Sequence, residues 1–217
     1  MNNPWRRSCL AVFILGVVAY TASFSQSSTT SKADAEPALS YIVITANYRI
    51  DSSGIKTDLG DRVRYVKPNG EWQQTANHET KNNKESAVIA STEEGVFAKA
   101  PGYPERKFIS QTADPQMQKC FRSVRCLQMQ KDFVRTEEVA GLKVYVLRSE
   151  ISNPEIPIDW VEQSYSPKTG YVPLRHVKHF RDGSEMVEEA TKVEFKDVPD
   201  NLNEDLQRFP IRGQKSN

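Results

Sequence analysis

Charge of one sign, histidine and cysteine are all scarce in this chain, and each scarcity removes a class of function. Lys and Arg number 29 against 28 Asp and Glu, which leaves a formal net charge of +1. A nucleic-acid binder carries a basic excess or stripe, and this balance argues against one. Only three histidines occur. His78 stands alone in a polar stretch. His176 and His179 lie three positions apart in a segment that reads as a strand, which sends them to opposite faces. No metal site is expected from them. The chain has no Gly-x-Ser-x-Gly nucleophile elbow and no glycine-rich phosphate loop. The adjacent pairs Glu93-Glu94 and Glu188-Glu189 put carboxylates in a turn or on opposite strand faces, whereas acid–base pairs must converge on one cleft. Both pairs are expected to be solvated. No catalytic residue, cofactor or metal ligand is assigned, and no enzyme is expected.

Long apolar runs are scarce as well. The one continuous run, Cys9 to Tyr20, is shorter than the roughly 20 residues that span a bilayer. It follows Arg6 and Arg7 and precedes Ser23-Phe24-Ser25, small residues at the two positions a signal peptidase reads. That is the layout of a secretory signal over residues 1–25. The reading adopted is a cleaved signal and a periplasmic or secreted protein; the alternative is an anchor extended through Phe24. Residues 26–37 are small and polar, a flexible leader. Residues 38–212 are one domain's worth of chain, and 213–217 form a tail. A monomer is expected.

Of three cysteines, only Cys120 and Cys126 belong to the mature part. An even pair in an oxidising compartment reads as a disulfide. Yet Asp114-Pro115 is a good helix start, and Met117, Cys120, Phe121, Val124 and Leu127 follow at helical spacing. Six residues of continuous helix separate two Cα atoms by about 9 Å, and a disulfide wants less than roughly 7 Å. Either the helix is continuous and the thiols are free, or it breaks between them and they are bonded. Export favours the second. Cys-x5-Cys matches neither a thioredoxin motif nor a zinc knuckle.

What the chain does have is strand grammar. Tyr41 to Ile50 alternates, with Ile42, Ile44, Ala46, Tyr48 and Ile50 on one side and Thr45, Asn47 and Arg49 on the other. Asp51-Ser-Ser-Gly54 turns the chain. Asp61 to Lys67, the Pro68-Asn-Gly70 turn and Glu71 to Thr75 follow, then a hairpin of Ala87–Ala90 and Gly95–Ala98. Phe133 to Glu137 pairs with Leu142 to Leu147 through Val139-Ala-Gly141. Trp160–Tyr165, Tyr171–Phe180 and Glu185–Phe195 complete a meander whose Pro-x-x-Gly and Asp-Gly turns are strong hairpin signals. The expected fold is mainly β: a curved antiparallel sheet of about nine or ten strands with one or two covering helices. Leu142 to Leu147 is apolar on both faces, so both are covered or one meets a greasy ligand. The Met117 to Leu127 segment would serve as cover equally well with no ligand at all.

The run Tyr165-Ser-Pro-Lys-Thr-Gly-Tyr-Val-Pro-Leu-Arg175, the turn Arg181-Asp-Gly-Ser184 and the segment Lys192 to Leu202 resemble the periplasmic lipoprotein-carrier and outer-membrane lipoprotein-sorting superfamily. The resemblance is strongest over about 139–209. It implies a half-barrel closed by helices that shelters acyl chains. The long N-terminal helix of those carriers has no counterpart in the short polar leader, and no functional residue carries over by motif.

The expected function is an exported, non-catalytic binding protein for a hydrophobic or amphipathic ligand, a lipid or an acylated peptide. The ligand would lie on an apolar concave sheet face. Trp72, Tyr145, Leu147 and Trp160 are the candidate ligand-binding residues, because aromatic and aliphatic walls suit such a site and both tryptophans adjoin turns. The alternative is an envelope protein-interaction module on the same scaffold with no small ligand.

Overall fold

The computed structural model describes residues 35–77, 86–100 and 102–212. The segments expected to be signal and tail, most of the expected leader, and His78 lie outside the described residues. Eleven strands form one antiparallel sheet: β1 (Tyr41–Ile50), β2 (Lys56–Val66), β3 (Trp72–Asn77), β4 (Ser86–Thr92), β5 (Gly95–Lys99), β6 (Lys107–Ser110), β7 (Phe133–Val139), β8 (Leu142–Glu150), β9 (Ile158–Tyr165), β10 (Arg175–Phe180) and β11 (Glu185–Phe195). Their order is β6-β5-β4-β3-β2-β1-β11-β10-β9-β8-β7. Each half of the chain is a meander, and the two meet where β1 pairs with β11.

This is the mainly β, open half-barrel class expected from the sequence. Among the described residues the strands number eleven, one beyond the expected nine or ten, because the four-residue β6 is too short to give an alternating signal. Three short helices lie among those residues: α1 (Pro115–Cys120) and α2 (Val124–Gln128), which form the cover, and α3 (Glu204–Gln207).

Local chemistry accounts for the elements. The β7–β8 hairpin closes on the pair Val139 and Leu142, leaving a two-residue turn with Ala140 at φ 49° and Gly141 at φ 76°. Such turns need positive φ at both positions. Gly141 supplies it freely, and Ala140 adopts it against its Cβ. Asp114 caps α1, its Oδ1 accepting from the Gln116 amide at 2.6 Å, and Ser123 caps α2. The helix breaks at Phe121–Ser123, which brings Cys120 and Cys126 to a Cα separation of 5.4 Å and a disulfide. The broken-helix reading holds.

Residues in register across neighbouring strands share a face. One face carries Tyr41, Val66 and Trp72, and continues from Asn47 through Glu188, His176 and Gln163 to Leu147. The helix pair α1–α2 lies on it, so it is the covered face. The opposite face runs through Tyr48, Val187, Val177, Glu162 and Arg148. The alternation of β1 is as expected, but its deeper side holds Tyr41, Val43, Thr45 and Asn47, while Ile42, Ile44, Ala46 and Tyr48 are half-buried. On β8 both sides are buried, with Val144 and Val146 on one and Tyr145 on the other. The C-terminal helix packs elsewhere, Leu206 joining Ala90 and Phe97 on the opposite face of β4–β5.

Candidate ligand-binding face

The covered face has an aromatic end and a basic band. At the aromatic end, Phe121 and Leu127 of the cover pack on Tyr145 and Tyr165, with Met117, Phe133, Leu147 and Tyr171 at the margin. The Phe121 ring stands edge-on to Tyr165 with centroids 4.5 Å apart and to Tyr171 at 5.1 Å. Edge-to-face aromatic pairs contribute about 0.5–1.5 kcal/mol beyond their buried area. Tyr41, Val43 and Val66 extend the apolar surface across the sheet, with Trp72 packed against them. The Tyr41 hydroxyl donates to the Thr169 carbonyl at 2.7 Å, and burial raises its pKa far above the usual phenol value.

The cover touches the sheet at two turns. The Arg122 guanidinium donates to the Pro68 carbonyl at 3.0 Å in the β2–β3 turn. A Cβ at Gly70 in that turn would sit 2.1 Å from Gln118 Oε1, and one at Gly170 in the β9–β10 turn 3.2 Å from Arg122 Nε. Both glycines have positive φ, so close approach and turn geometry call for the same residue.

Beyond the cover the same face becomes polar. Arg62 Nη1 donates to Glu188 Oε2 at 2.9 Å, and Arg64 Nη2 to Glu188 Oε1 at 2.8 Å. Arg64 also bonds Gln74 Oε1 through Nε at 2.7 Å and through Nη2, and its guanidinium lies over the Trp72 ring. Next to Glu188 stand His176, its register partner, and Lys178. Burial pulls the His176 imidazole down to about 4 and also lowers the Lys178 ammonium. For Glu188, burial opposes the charge, but Arg64 and Arg62 outweigh it and hold the carboxyl below its ordinary value. Thr45, in register with Arg62, is 2% exposed, and its hydroxyl has no hydrogen-bond partner.

The opposite face carries the buried Val146, Val177 and Val187 together with a ladder of ion pairs. Arg135 forks onto Glu162 at 2.9 and 2.7 Å. Arg175 reaches Glu137 at 3.7 Å and Glu189 at 3.3 Å. Ser164 donates to Glu137, and Tyr48 to Glu189. Trp160 lies in this layer, stacked on His179 at 4.7 Å with Arg148 above it at 4.2 Å.

Of the four candidate residues, then, Trp72, Tyr145 and Leu147 share the covered face, and Trp160 is on the other. Its position beside a turn carried no information about side-chain direction; its register with His179 does. His176 and His179 do point to opposite faces. Glu188 corrects an expectation: it is paired to two arginines rather than solvated. Residues sequence reasoning missed are Arg62 and Arg64, which sit at alternate positions of one strand, and Lys178. Among the described residues no group of three or more His, Cys, Asp or Glu is placed to hold a metal.

No protein-family model and no curated protein matches the chain. Solved structures similar to it include a LolA superfamily protein from Nitrosomonas europaea, at 11% identity and TM-score 0.40 over 78% of this chain and 91% of that one. A putative outer membrane lipoprotein-sorting protein domain from Vibrio parahaemolyticus matches at 10% identity and TM-score 0.40, over 81% of this chain and 94% of that one. The lipoprotein LppX from Mycobacterium tuberculosis matches at 10% identity and TM-score 0.32, over 73% of this chain and 88% of that one. The superfamily that the Tyr165–Leu202 motifs resemble is thus represented among them.

Proposed function

We propose that this chain is an exported, non-catalytic binding protein that shelters the apolar part of a lipid or an acylated peptide between the covered face and the α1–α2 cover. The observation that carries this reading is the self-contained build of the cover. Each helix has its own cap, and the two are held to each other by the Cys120–Cys126 bond and by Gln130 Nε2, which reaches Cys120 Sγ at 3.4 Å and the Cys126 carbonyl at 3.0 Å. Its attachment to the sheet is mostly aromatic packing. A unit stiff within itself and joined to a sheet mainly by apolar contacts, with the Arg122–Pro68 hydrogen bond at one turn, can lift or slide without unfolding, and an acyl chain would replace the apolar contacts it gives up. Burying that chain supplies roughly 25 cal/mol per Å² of apolar surface. Trp72, Tyr145 and Leu147 would line the site.

An envelope interaction module by strand addition is less well supported. It needs a long, flat edge. One edge strand, β6, has four residues. The other, β7, carries Arg135, Glu137 and Glu138 and an irregular register between Phe133 and Arg135.

The test is a detergent-free native mass spectrum of the full chain exported into an oxidising compartment. Added mass that dissociates as lipid supports the proposal. An apo mass that persists after adding a lysophospholipid overturns it. Capture of one stoichiometric envelope protein without lipid would favour the interaction module.

A further inference from the structure

Two adjacent residues of the cover sit the opposite way from the pattern of their own sequence. Met117, Cys120, Phe121, Val124 and Leu127 recur at the spacing of one amphipathic helix. Such a helix would bury Val124 and turn Ser123, two positions after Phe121, to the far side. The structure does the reverse: Ser123 is 0% exposed and Val124 41%. Ser123 is extended, at φ −109° and ψ 125°, so the helix stops there and restarts as α2. Three bonds hold this break. The disulfide keeps the Cα atoms of Cys120 and Cys126 5.4 Å apart, where a continuous helix would place them about 9 Å apart. Ser123 Oγ accepts from the Cys126 amide at 3.3 Å. The chain ahead of β1 also seats on the break, the Glu36 amide donating to the Arg122 carbonyl at 2.9 Å and Ala35 bridging Ser123. In a continuous helix the Arg122 carbonyl would accept from the Cys126 amide instead, and both the cap and the Glu36 bond would be given up.

We infer that residues 115–128 are a two-state cover under thiol control: the disulfide keeps it broken and seated, and a dithiol reductant converts it to one continuous helix that frees Ala35–Glu36 and opens the covered face. The step is thiol–disulfide exchange. A thiolate of the dithiol attacks Sγ of the half-buried Cys120, and the buried Cys126 leaves as a thiolate. Gln130 Nε2, 3.7 Å from Cys126 Sγ, is placed to donate to it. The dithiol's second sulfur then displaces Cys120 from the mixed disulfide. One S–S bond has broken in the cover and another has formed in the dithiol, and both cysteines end as thiols. Val124 now joins the apolar stripe and Ser123 leaves it, so each state relieves a conflict that the other carries. Phe121 and Leu127, each next to one of the cysteines, cannot both keep their seats on Tyr145 and Tyr165 once the cysteines separate. The consequence for a lipid rests on the reading of the covered face as a lipid site.

The test uses the full exported chain, isotope-labelled, before and after excess dithiothreitol, with alkylation and intact mass counting the thiols. Val124→Pro is the control. Proline suits the first residue of α2 and the extended residue before it, and it forbids a helix running through that position. On reduction of the parent, the Cα and Cβ chemical shifts of Ser123 are expected to move from the extended to the helical range. In Val124→Pro they stay extended. Affinity for lysophosphatidylglycerol, read by calorimetry, is expected to fall about tenfold on reduction of the parent and to hold within about twofold in Val124→Pro. Ser123 shifts that stay extended in the parent, that go to random-coil values, or that turn helical in Val124→Pro as well each overturn the switch. So does a bond that the dithiol leaves intact. A helical Ser123 with unchanged lipid affinity overturns control of the face. A helical Ser123 with no lipid bound in either state supports the two-state cover and overturns the lipid reading alone.

Discussion

Phe121 stands edge-on to Tyr165 across 4.5 Å, and this pair joins the cover to the sheet within a buried cluster that also holds Leu127 and Tyr145. Both residues are nearly inaccessible. Phe121→Ala is expected to destabilise the protein by about 3 kcal/mol, the usual cost of truncating a buried phenylalanine. Phe121→Leu should cost clearly less. Urea unfolding midpoints compare the two. A Phe121→Ala protein as stable as the parent would mean the cover is not packed as described.

The disulfide closes a loop of only six residues, so its effect on the unfolded chain is modest. Replacing Cys120 and Cys126 together by serine is expected to cost about 2 kcal/mol. The loss should be local. Hydrogen exchange would accelerate over 115–128 well before the central strands β1 and β11. Uniform acceleration across the sheet would instead make the bond part of the global core and remove the basis for treating the cover as a separate unit.

Much of the architecture is legible in the sequence because turns announce themselves. Asp51-Ser-Ser-Gly54, Ala140-Gly141 and Asp182-Gly183 each lie where a hairpin reverses. What the sequence does not reveal is which side of a strand is covered. On β1 the isoleucines look like the core, yet Thr45 and Asn47 are the deeper residues, because a polar band on β2, β10 and β11 faces them. Glu188 reads as a solvated neighbour of Glu189 for the same reason: its partners, Arg62 and Arg64, are over 120 positions away. Alternation reports period; only register reports partners.

The half-buried His176 imidazole is expected to make stability fall in mild acid. Burial lowers its pKa to about 4 against 6.5 for the free side chain, Lys178 and Arg64 oppose protonation as well, and Glu188 favours it. Between those two values the unfolded chain binds a proton that the folded chain refuses, so stability drops as pH falls through that window. From pH 7 to pH 5 the loss attributable to this residue is about 2 kcal/mol. The His176→Gln protein cannot titrate there and should show a correspondingly flatter dependence. Glu188, whose pKa is lowered, adds its own loss only below the ordinary carboxylate range. Identical pH profiles for parent and variant would show that His176 is not buried as a neutral ring.

Ala140 holds φ at 49° beside Gly141. A left-handed conformation costs an L-residue roughly 1 kcal/mol that glycine does not incur. Ala140→Gly is therefore expected to stabilise the protein by somewhat under about 1 kcal/mol, since a small packing contact with the core is lost and the unfolded chain gains freedom. For a domain of this size that is a rise of about 2 °C in melting temperature. A fall of similar size would show that the Ala140 methyl group contributes more to packing than it costs in strain.

Two of the three tryptophans, Trp72 and Trp160, separate the faces experimentally. Trp72 lies on the covered face under the Arg64 guanidinium, and Trp160 lies on the opposite face between His179 and Arg148. A lipid seated on the covered face should change the emission of Trp72 and leave that of Trp160 as it was. In proteins from which Trp5 has also been removed, then, addition of lysophosphatidylglycerol is expected to shift the spectrum when Trp160 has been replaced by phenylalanine, and not when Trp72 has. Affinity should follow the same division: Trp160→Phe within about twofold of the parent, Trp72→Ala weaker by about tenfold, as removal of a buried aromatic wall predicts. A spectrum that responds through Trp160 would move the ligand to the other face, where the ion-pair ladder of Arg135, Glu162, Arg175 and Glu137 would have to open to admit it.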